Sequence, residues 1–412
     1  MNGLIDAVNS IRAVAPSELG GAVRQVAVIL TSPRSGSSLL TSVLARHPGI
    51  ATLDGEIEPY LALTGNGFGY SSNSDAIGTL ANRAALADCV LDDLTVADNG
   101  PPDLDLIKRR WRNRLLLQFP SVFAQPSELR RLGQSLDEAV TASAAQRCGG
   151  ERAWQEYVLG KVFRHDGWRM AYYDGMARDG AAGGFDVPLK LEEPPFVMPR
   201  HQRRPFGADD AASKVLLFKT PPDVYRLGLY RQLFPNADIK YIHLTRGYAQ
   251  AVNGLIDGWQ SPVGFFSHDL RWAGVDLRIV GYTDVLPFGR RWWKFDLPPN
   301  WRQFTAAPLE QVCLNQWLSP HRAVLEAGVP ALRLRFEDFL ADPVAAMGRV
   351  TGYLGLPPMA MQAQLPVTMA TEQPARQRWR KREQALLALG RQGEVAAMMD
   401  ALDYGMDPEG WL

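Results

Sequence analysis

Residues 26–48 read VAVILTSPRSGSSLLTSVLARHP, and this stretch decides the fold. Val26 to Leu30 is an apolar, branched run of the length expected for a strand buried on both faces. Pro33-Arg34-Ser35-Gly36-Ser37-Ser38 breaks the run with small residues and a single cation. Leu39, Leu40, Val43 and Leu44 then recur at helical spacing, and His47-Pro48 stops the helix. A strand, a turn of small residues and a helix aim free backbone N–H groups and a positive helix end at an anion. Ser35, Ser37 and Ser38 add hydroxyl donors, and Gly36 lets the backbone approach a phosphate-sized group. The stretch reads as a phosphate-binding loop, with a serine-capped strand-to-helix connection as the plainer alternative. The triphosphatase version places Lys and Ser or Thr after its last glycine, whereas here no Lys follows Gly36 and Arg34 precedes it.

Other runs share the character of the first strand. Lys214 to Phe218 (KVLLF) ends in Lys219-Thr220-Pro221, which puts a lysine where open parallel sheets bind their ligands. A strand-end lysine reaching for solvent is the alternative. Ile239 to Leu244 (IKYIHL) ends at Thr245-Arg246 and leads into a helix from Tyr248 to Trp259. A guanidinium there suits two-pronged binding of phosphate. Ala331 to Phe336 (ALRLRF) is followed by Glu337-Asp338-Phe339-Leu340-Ala341-Asp342-Pro343, whose acids are expected to cap the helix from Val344 to Leu354.

Between these runs, Ile50 to Tyr60 (IATLDGEIEPY) returns the chain toward the same crevice with Glu56 and Glu58. They present an acid to the site or form a solvated acidic loop. Gly65 to Asp75 (GNGFGYSSNSD) reads as a mobile loop. Residues 76–175 are expected to be helical over Ile77 to Asp93, Leu104 to Gln118, Ser127 to Cys148 and Trp154 to Asp166; residues 176–213 read as irregular. The basic run Arg109 to Arg114 contacts an anionic acceptor or covers a solvated helix face. Residues 260–308 carry Phe265, Phe266, Trp272, Trp292, Trp293 and Trp301, as core packing or as an apolar wall. His268, alone among them, is expected to be structural. After a helix from Glu310 to Ala327, Arg376 to Arg382 opens the last helical region with cations against a positive helix end, which makes sense if an anion sits between.

The composition fits this picture. The chain has 412 residues, 46% of them hydrophobic, and 44 basic residues balance 44 acidic ones. Balanced charge argues against nucleic-acid binding and adhesion to acidic membranes, though not against a local basic pocket. No apolar run approaches membrane-spanning length, so no membrane insertion is expected. The three cysteines, Cys89, Cys148 and Cys313, are widely spaced, which suits neither a disulfide framework nor zinc and fits a reducing, cytoplasmic location.

Taken in order, the motifs P-R-S-G-S-S-L-L with H-P, E-P, K-T-P, a strand ending in T-R, and R-F-E-D-F-L-A-D-P resemble those of sulfotransferases that use 3′-phosphoadenosine 5′-phosphosulfate (PAPS). The resemblance spans nearly the whole chain. It implies an α/β three-layer sandwich with a central parallel sheet, P-loop-like, forming one domain over 1–412 with a mostly helical insertion at 76–213. It implies sulfuryl transfer from PAPS to a hydroxyl of a small-molecule or glycan acceptor, without a metal. Glu58 then becomes the base, with Glu56 or His47 as alternatives, and Lys219 and Arg34 meet the charge that develops on the bridging oxygen. Cofactor contacts fall to Arg34, Ser35, Gly36, Ser37, Ser38 and Arg246, and to Arg376, Arg378 and Arg380 near the C-terminus. The family places Ser eight residues after its strand-end Arg; here the position is Gly254, with Asn253 beside it. A non-catalytic nucleotide-binding or scaffolding protein on the same fold is the alternative. A kinase would need the missing loop lysine. The aromatic middle region leans the acceptor toward small or lipid-like compounds, and oligomeric state is not legible.

Overall fold

A computed structural model of the chain describes residues 2–145, 151–163, 191, 199–200, 202–262, 267–361, 365–367, 372 and 374–411. Its strands are β1 (Gln25–Leu30), β2 (Ile50–Thr52), β3 (Thr95–Ala97), β4 (Arg203–Pro205), β5 (Val215–Phe218), β6 (Asp238–Thr245), β7 (Ser267–Asp269), β8 (Trp292–Lys294) and β9 (Ala331–Arg335). Seven of them form one sheet in the order β4-β3-β2-β5-β1-β6-β9, and β7 pairs with β8 apart from it. The central register sets Val28 beside Phe218 and Leu30 beside His243. No helix among the described residues is long and apolar enough to cross a membrane.

The alternation expected of a strand buried on both faces is visible in β1. Val26, Val28 and Leu30 join one apolar cluster with Leu86, Val90 and Leu233. Ala27 and Ile29 join another with Leu40, Leu44, Val350 and Leu354. The sheet is therefore the middle of three layers: the helix Arg83–Asp93 lies on one face, and the helices Ser37–Leu44 and Pro343–Leu354 lie on the other.

The sheet is not wholly parallel. β2, β5, β1, β6 and β9 run parallel, but β3 and β4 add an antiparallel edge. Both come from residues 76–213, so that segment supplies strands as well as helices, and its described part is less irregular than expected. Three-residue strands are too short to show a period. β4 also breaks pattern rules, with Pro205 on the edge and Arg203 buried. The Arg203 guanidinium is satisfied by donating to the carbonyls of Thr95 (2.7 Å) and Ala45 (2.5 Å) and to the Thr95 hydroxyl (3.0 Å).

The helices Leu104–Gln118, Pro126–Ala145 and Glu151–Phe163 share an apolar cluster of their own around Trp111, Leu115, Leu136 and Trp154. Neither reading of the basic run holds for its inner members. Arg110 and Arg114 are buried, Arg110 pairs with the equally buried Asp54 next to β2, and Arg109 reaches Asp92 at 2.9 Å. The stretch read as mobile is likewise tied down. Asn66 accepts from the Ala81 N–H (2.8 Å), Trp301 donates to the Asn73 carbonyl (2.9 Å), and Asp75 exchanges two hydrogen bonds with the Leu297 backbone. Trp292, Trp293 and Trp301 are core residues; Trp293 meets Trp259 edge-on at 5.3 Å, and Trp272 is 40% exposed. Phe265 and Phe266 lie outside the described residues, as do Cys148 and most of 176–213.

Replacing Asp54 by Ala should strand the Arg110 charge in the interior and lower stability by about 3 kcal/mol. Urea unfolding would show the loss. A double variant, Asp54→Leu with Arg110→Met, should recover most of it, because it removes both charges together.

Candidate functional site

The parallel strands present their C-terminal ends to one edge of the sheet, and β1 delivers the small-residue turn to it. Arg34 (φ 64°) and Gly36 (φ 89°) both adopt left-handed backbone, which folds the turn tightly over the strand end. Only glycine fits at 36: a Cβ there would lie 2.1 Å from the Phe336 ring. The helix Ser37–Leu44 starts without a side-chain cap, and its first backbone bond runs from the Leu40 N–H to the Gly36 carbonyl (3.1 Å). The first-turn N–H groups thus lack intrahelical acceptors, as an anion site requires. Ser38 is half-buried and Ser37 is buried. Ser35 is fully buried, and its hydroxyl lies 2.7 Å from that of Ser32, turned beneath the loop.

Three guanidiniums gather beside this turn. The Arg34 Nε–H donates to the Gly254 carbonyl (3.2 Å), and a Cβ on Gly254 would come within 3.4 Å of the Arg34 Cβ. The space beside Gly254 is therefore where the Arg34 side chain lies. Arg246 donates from Nη1 to the Arg34 carbonyl (2.9 Å) and rests 5.0 Å over the Phe336 ring. Arg378 is anchored to Asp257 (3.0 Å) and Glu372 (2.9 Å), while its buried Nε has no hydrogen-bond partner among the described residues. Burial, with Arg246 and Arg378 adding to it, pulls Arg34 down to about 10 against the opposing pull of Asp257. Burial also lowers Arg246; Glu337 and Tyr404 oppose the shift, and Arg378 adds to it. Like charges packed this closely favour an anion among them.

The other expected C-terminal contacts have their own surroundings. Arg380 is committed to Glu383 (2.7 Å) and Glu409 (2.9 Å), and Arg376 is exposed. Arg382, not singled out from sequence, donates to the side-chain oxygens of Asn253 (2.6 Å) and Asp257 (2.7 Å), so the Asn253 oxygen is already engaged. Glu337 does not cap a helix. It accepts from the Gly247 N–H (3.1 Å) and the Tyr404 hydroxyl (2.7 Å), while Asp342 does cap its helix through the Ala345 N–H (2.9 Å).

The acidic side of the site is built by two turns stitched together. The Ile57 N–H donates to the Thr220 hydroxyl (3.2 Å), and Lys219, at the end of β5, pairs with Glu56. Glu58 opens the helix Glu58–Leu63 and pairs with the buried Arg226 (2.5 Å), which also holds Asp223 (2.9 Å). Burial pushes the Glu58 carboxyl up to about 7 against the pull of Arg226; Asp75 adds to the rise and His268 opposes it. Behind Glu58, His268 Nε2 lies 3.2 Å from Asp75 Oδ1. Asp296 accepts from the Tyr225 hydroxyl (2.7 Å), and burial pushes its carboxyl up to about 8.

His268 thus belongs to the surroundings of Glu58, a role that a lone histidine in a sequence does not reveal. Arg226 left only the weak signal of Asp223 three residues before it, and it lies between the 3-10 turn Pro221–Tyr225 and the helix Leu229–Leu233. His47 uses both ring nitrogens locally, on the Pro357 carbonyl (3.0 Å) and the Gly49 N–H (2.9 Å).

No family model and no curated protein sequence matches the chain. Among solved structures it is similar to the sulfotransferase domain from the curacin biosynthetic pathway, at 13% identity and a TM-score of 0.39, with 93% of this chain and 99% of that one covered. It is similar to the sulfotransferase domain from the Synechococcus olefin synthase at 16% identity and a TM-score of 0.30, covering 81% and 74%. A sulfotransferase from Mycobacterium avium aligns at 11% identity and a TM-score of 0.35, covering 97% and 82%. A likeness of this strength carries no weight for the chemistry, which rests on the geometry above.

Gly36→Ala should unseat the turn, because the methyl collides with Phe336 and the left-handed backbone is strained for alanine. A stability loss of about 2–4 kcal/mol is expected. Adding Phe336→Ala should relieve the collision but not the backbone strain, so calorimetric melting should show partial recovery.

Proposed function

We propose that the protein is a sulfotransferase that moves a sulfuryl group from PAPS to a hydroxyl of a small-molecule or glycan acceptor. The observation that supports this most is the placing of two unlike clusters along the C-terminal edge of one sheet. At one end Arg34, Arg246 and Arg378 crowd beside an uncapped helix start, and at the other a half-buried Glu58 stands beside the Lys219 turn. A donor with anionic groups at both ends of a nucleoside suits such an arrangement. Its 3′-phosphate falls to Arg246 and Arg378, with Arg34 lying where the family pattern has a serine side chain. Its 5′-phosphosulfate falls to the turn amides with Gly36, Ser37 and Ser38.

Transfer is a single displacement. The acceptor oxygen forms a bond to sulfur as the bond from sulfur to the bridging phosphate oxygen breaks, and that oxygen keeps the electron pair. Lys219 and the turn amides meet the charge on the leaving oxygen. Glu58 takes the acceptor's proton, and its raised pKa makes it a competent base near neutrality. Arg226 keeps the carboxylate aimed, while Asp75 and His268 set its electrostatic surroundings. Holding both substrates in line supplies the remaining acceleration.

Calorimetric titration with 3′,5′-adenosine bisphosphate, 5′-AMP and ATP tests the donor. Binding that depends on the 3′-phosphate is expected, and equal affinity for all three would refute it. Glu58→Gln should cut transfer about 10²–10⁴-fold with donor binding retained. Undiminished transfer would remove Glu58 from the mechanism. Because the base works ionised, the wild-type rate should rise with pH through about 7. Donor binding with no transfer to any hydroxylated acceptor would favour a nucleotide-binding protein without catalysis.

A further inference from the structure

Beneath the loop runs a buried polar string that the proposed chemistry does not use. Ser35 Oγ lies 2.7 Å from Ser32 Oγ, Ser32 Oγ lies 3.3 Å from His321 Nε2, and His321 Nδ1 lies 3.0 Å from His243 Nε2. Ser32, Ser35 and His321 are wholly buried, and His243 is 3% exposed. Burial lowers both imidazoles, with Arg333 adding to each and His243 adding to His321, so both stay neutral. A neutral imidazole carries one donor and one acceptor, which is what a link in the middle of such a string needs.

His321 sits on the helix Leu309–Ala327, and one turn earlier on the same face Trp317 donates its indole N–H to the Arg246 carbonyl (3.0 Å). The two rings pack edge to face, with centroids 5.5 Å apart. One helix face therefore holds both segments on which anion binding depends. His321 holds the Pro33–Gly36 turn through the serines, and Trp317 holds the end of β6.

We propose that Trp317 and His321 are positioning residues that set the distance between the turn and Arg246, and so select ligands with two anionic groups at that span. The choice of a nucleoside bisphosphate as the two-ended ligand rests on the function proposed above; the hydrogen-bonded string does not.

The test compares the full chain with its His321→Leu and His321→Gln variants, titrated with 3′,5′-adenosine bisphosphate, 5′-AMP and pyrophosphate. His321→Leu should lower the preference for the bisphosphate over 5′-AMP about 10-fold or more, the scale of one lost buried hydrogen bond. The 5′-AMP affinity itself should change less than about 3-fold. His321→Gln offers one donor and one acceptor and should restore most of the preference, which a purely space-filling role would not require. With imidazole-¹⁵N labelling, bisphosphate binding should also shift the His321 resonances. An unchanged preference in His321→Leu, or an equal loss for both nucleotides, overturns the proposal. If the wild-type chain binds both nucleotides equally, the nucleoside bisphosphate reading fails by itself. Pyrophosphate then decides for the string: weaker binding in His321→Leu supports its hold on the turn, and unchanged binding overturns it.

Discussion

Like charge held close together is the constraint on which this structure turns. Arg34, Arg246 and Arg378 are gathered at the loop after β1, where burial and their mutual charge lower Arg34 and Arg246 against the pull of Asp257 and Glu337. Asp257 is shared among Arg378, Lys381 and Arg382. On the function proposed above, an anionic ligand offsets the cost of holding guanidiniums this way. The elements around the cluster serve the placement: β1 delivers the turn, β6 delivers Arg246, and the 3-10 turn Arg378–Arg382 docks on the helix Tyr248–Trp259.

Gly254 gains a physical meaning in that setting. The Arg34 side chain lies against the bare backbone there and bonds to its carbonyl. On the function proposed above, the Arg34 side chain occupies the place that the resemblance assigns to a serine side chain.

The acidic side obeys the opposite logic. Asp223 and Asp296 are buried and Glu58 is half-buried, and desolvation raises all three, with Arg226 opposing the rise at Glu58 and Asp223. Its members come from segments far apart in the chain: the Glu58 helix, the turn after β5, Asp75 before the insertion, and β7 with the residues after β8. Each contributes one group, and the cluster exists only because the sheet and its aromatic flank bring these segments together.

The division between sequence and structure follows from range. The central strands, the turn after β1 and the helices Ser37–Leu44, Tyr248–Trp259 and Leu309–Ala327 were legible because each is encoded locally, by periodicity and a few residues with special backbone needs. Through its resemblance to the sulfotransferases, the sequence also singled out Glu58, Lys219, Arg34 and Arg246 as candidate site groups. What it could not decide was partnership: that Arg34 lies against Gly254, that Arg380 is spent on Glu383 and Glu409, that His268 faces Asp75, or that two buried histidines stand under the loop. The antiparallel edge of β3 and β4 escaped for the same reason, since three-residue strands carry no period and gain their identity from the neighbour they bond to. Local pattern determines which elements form, and tertiary contact decides which charges meet, because electrostatics and burial act through space and not along the chain.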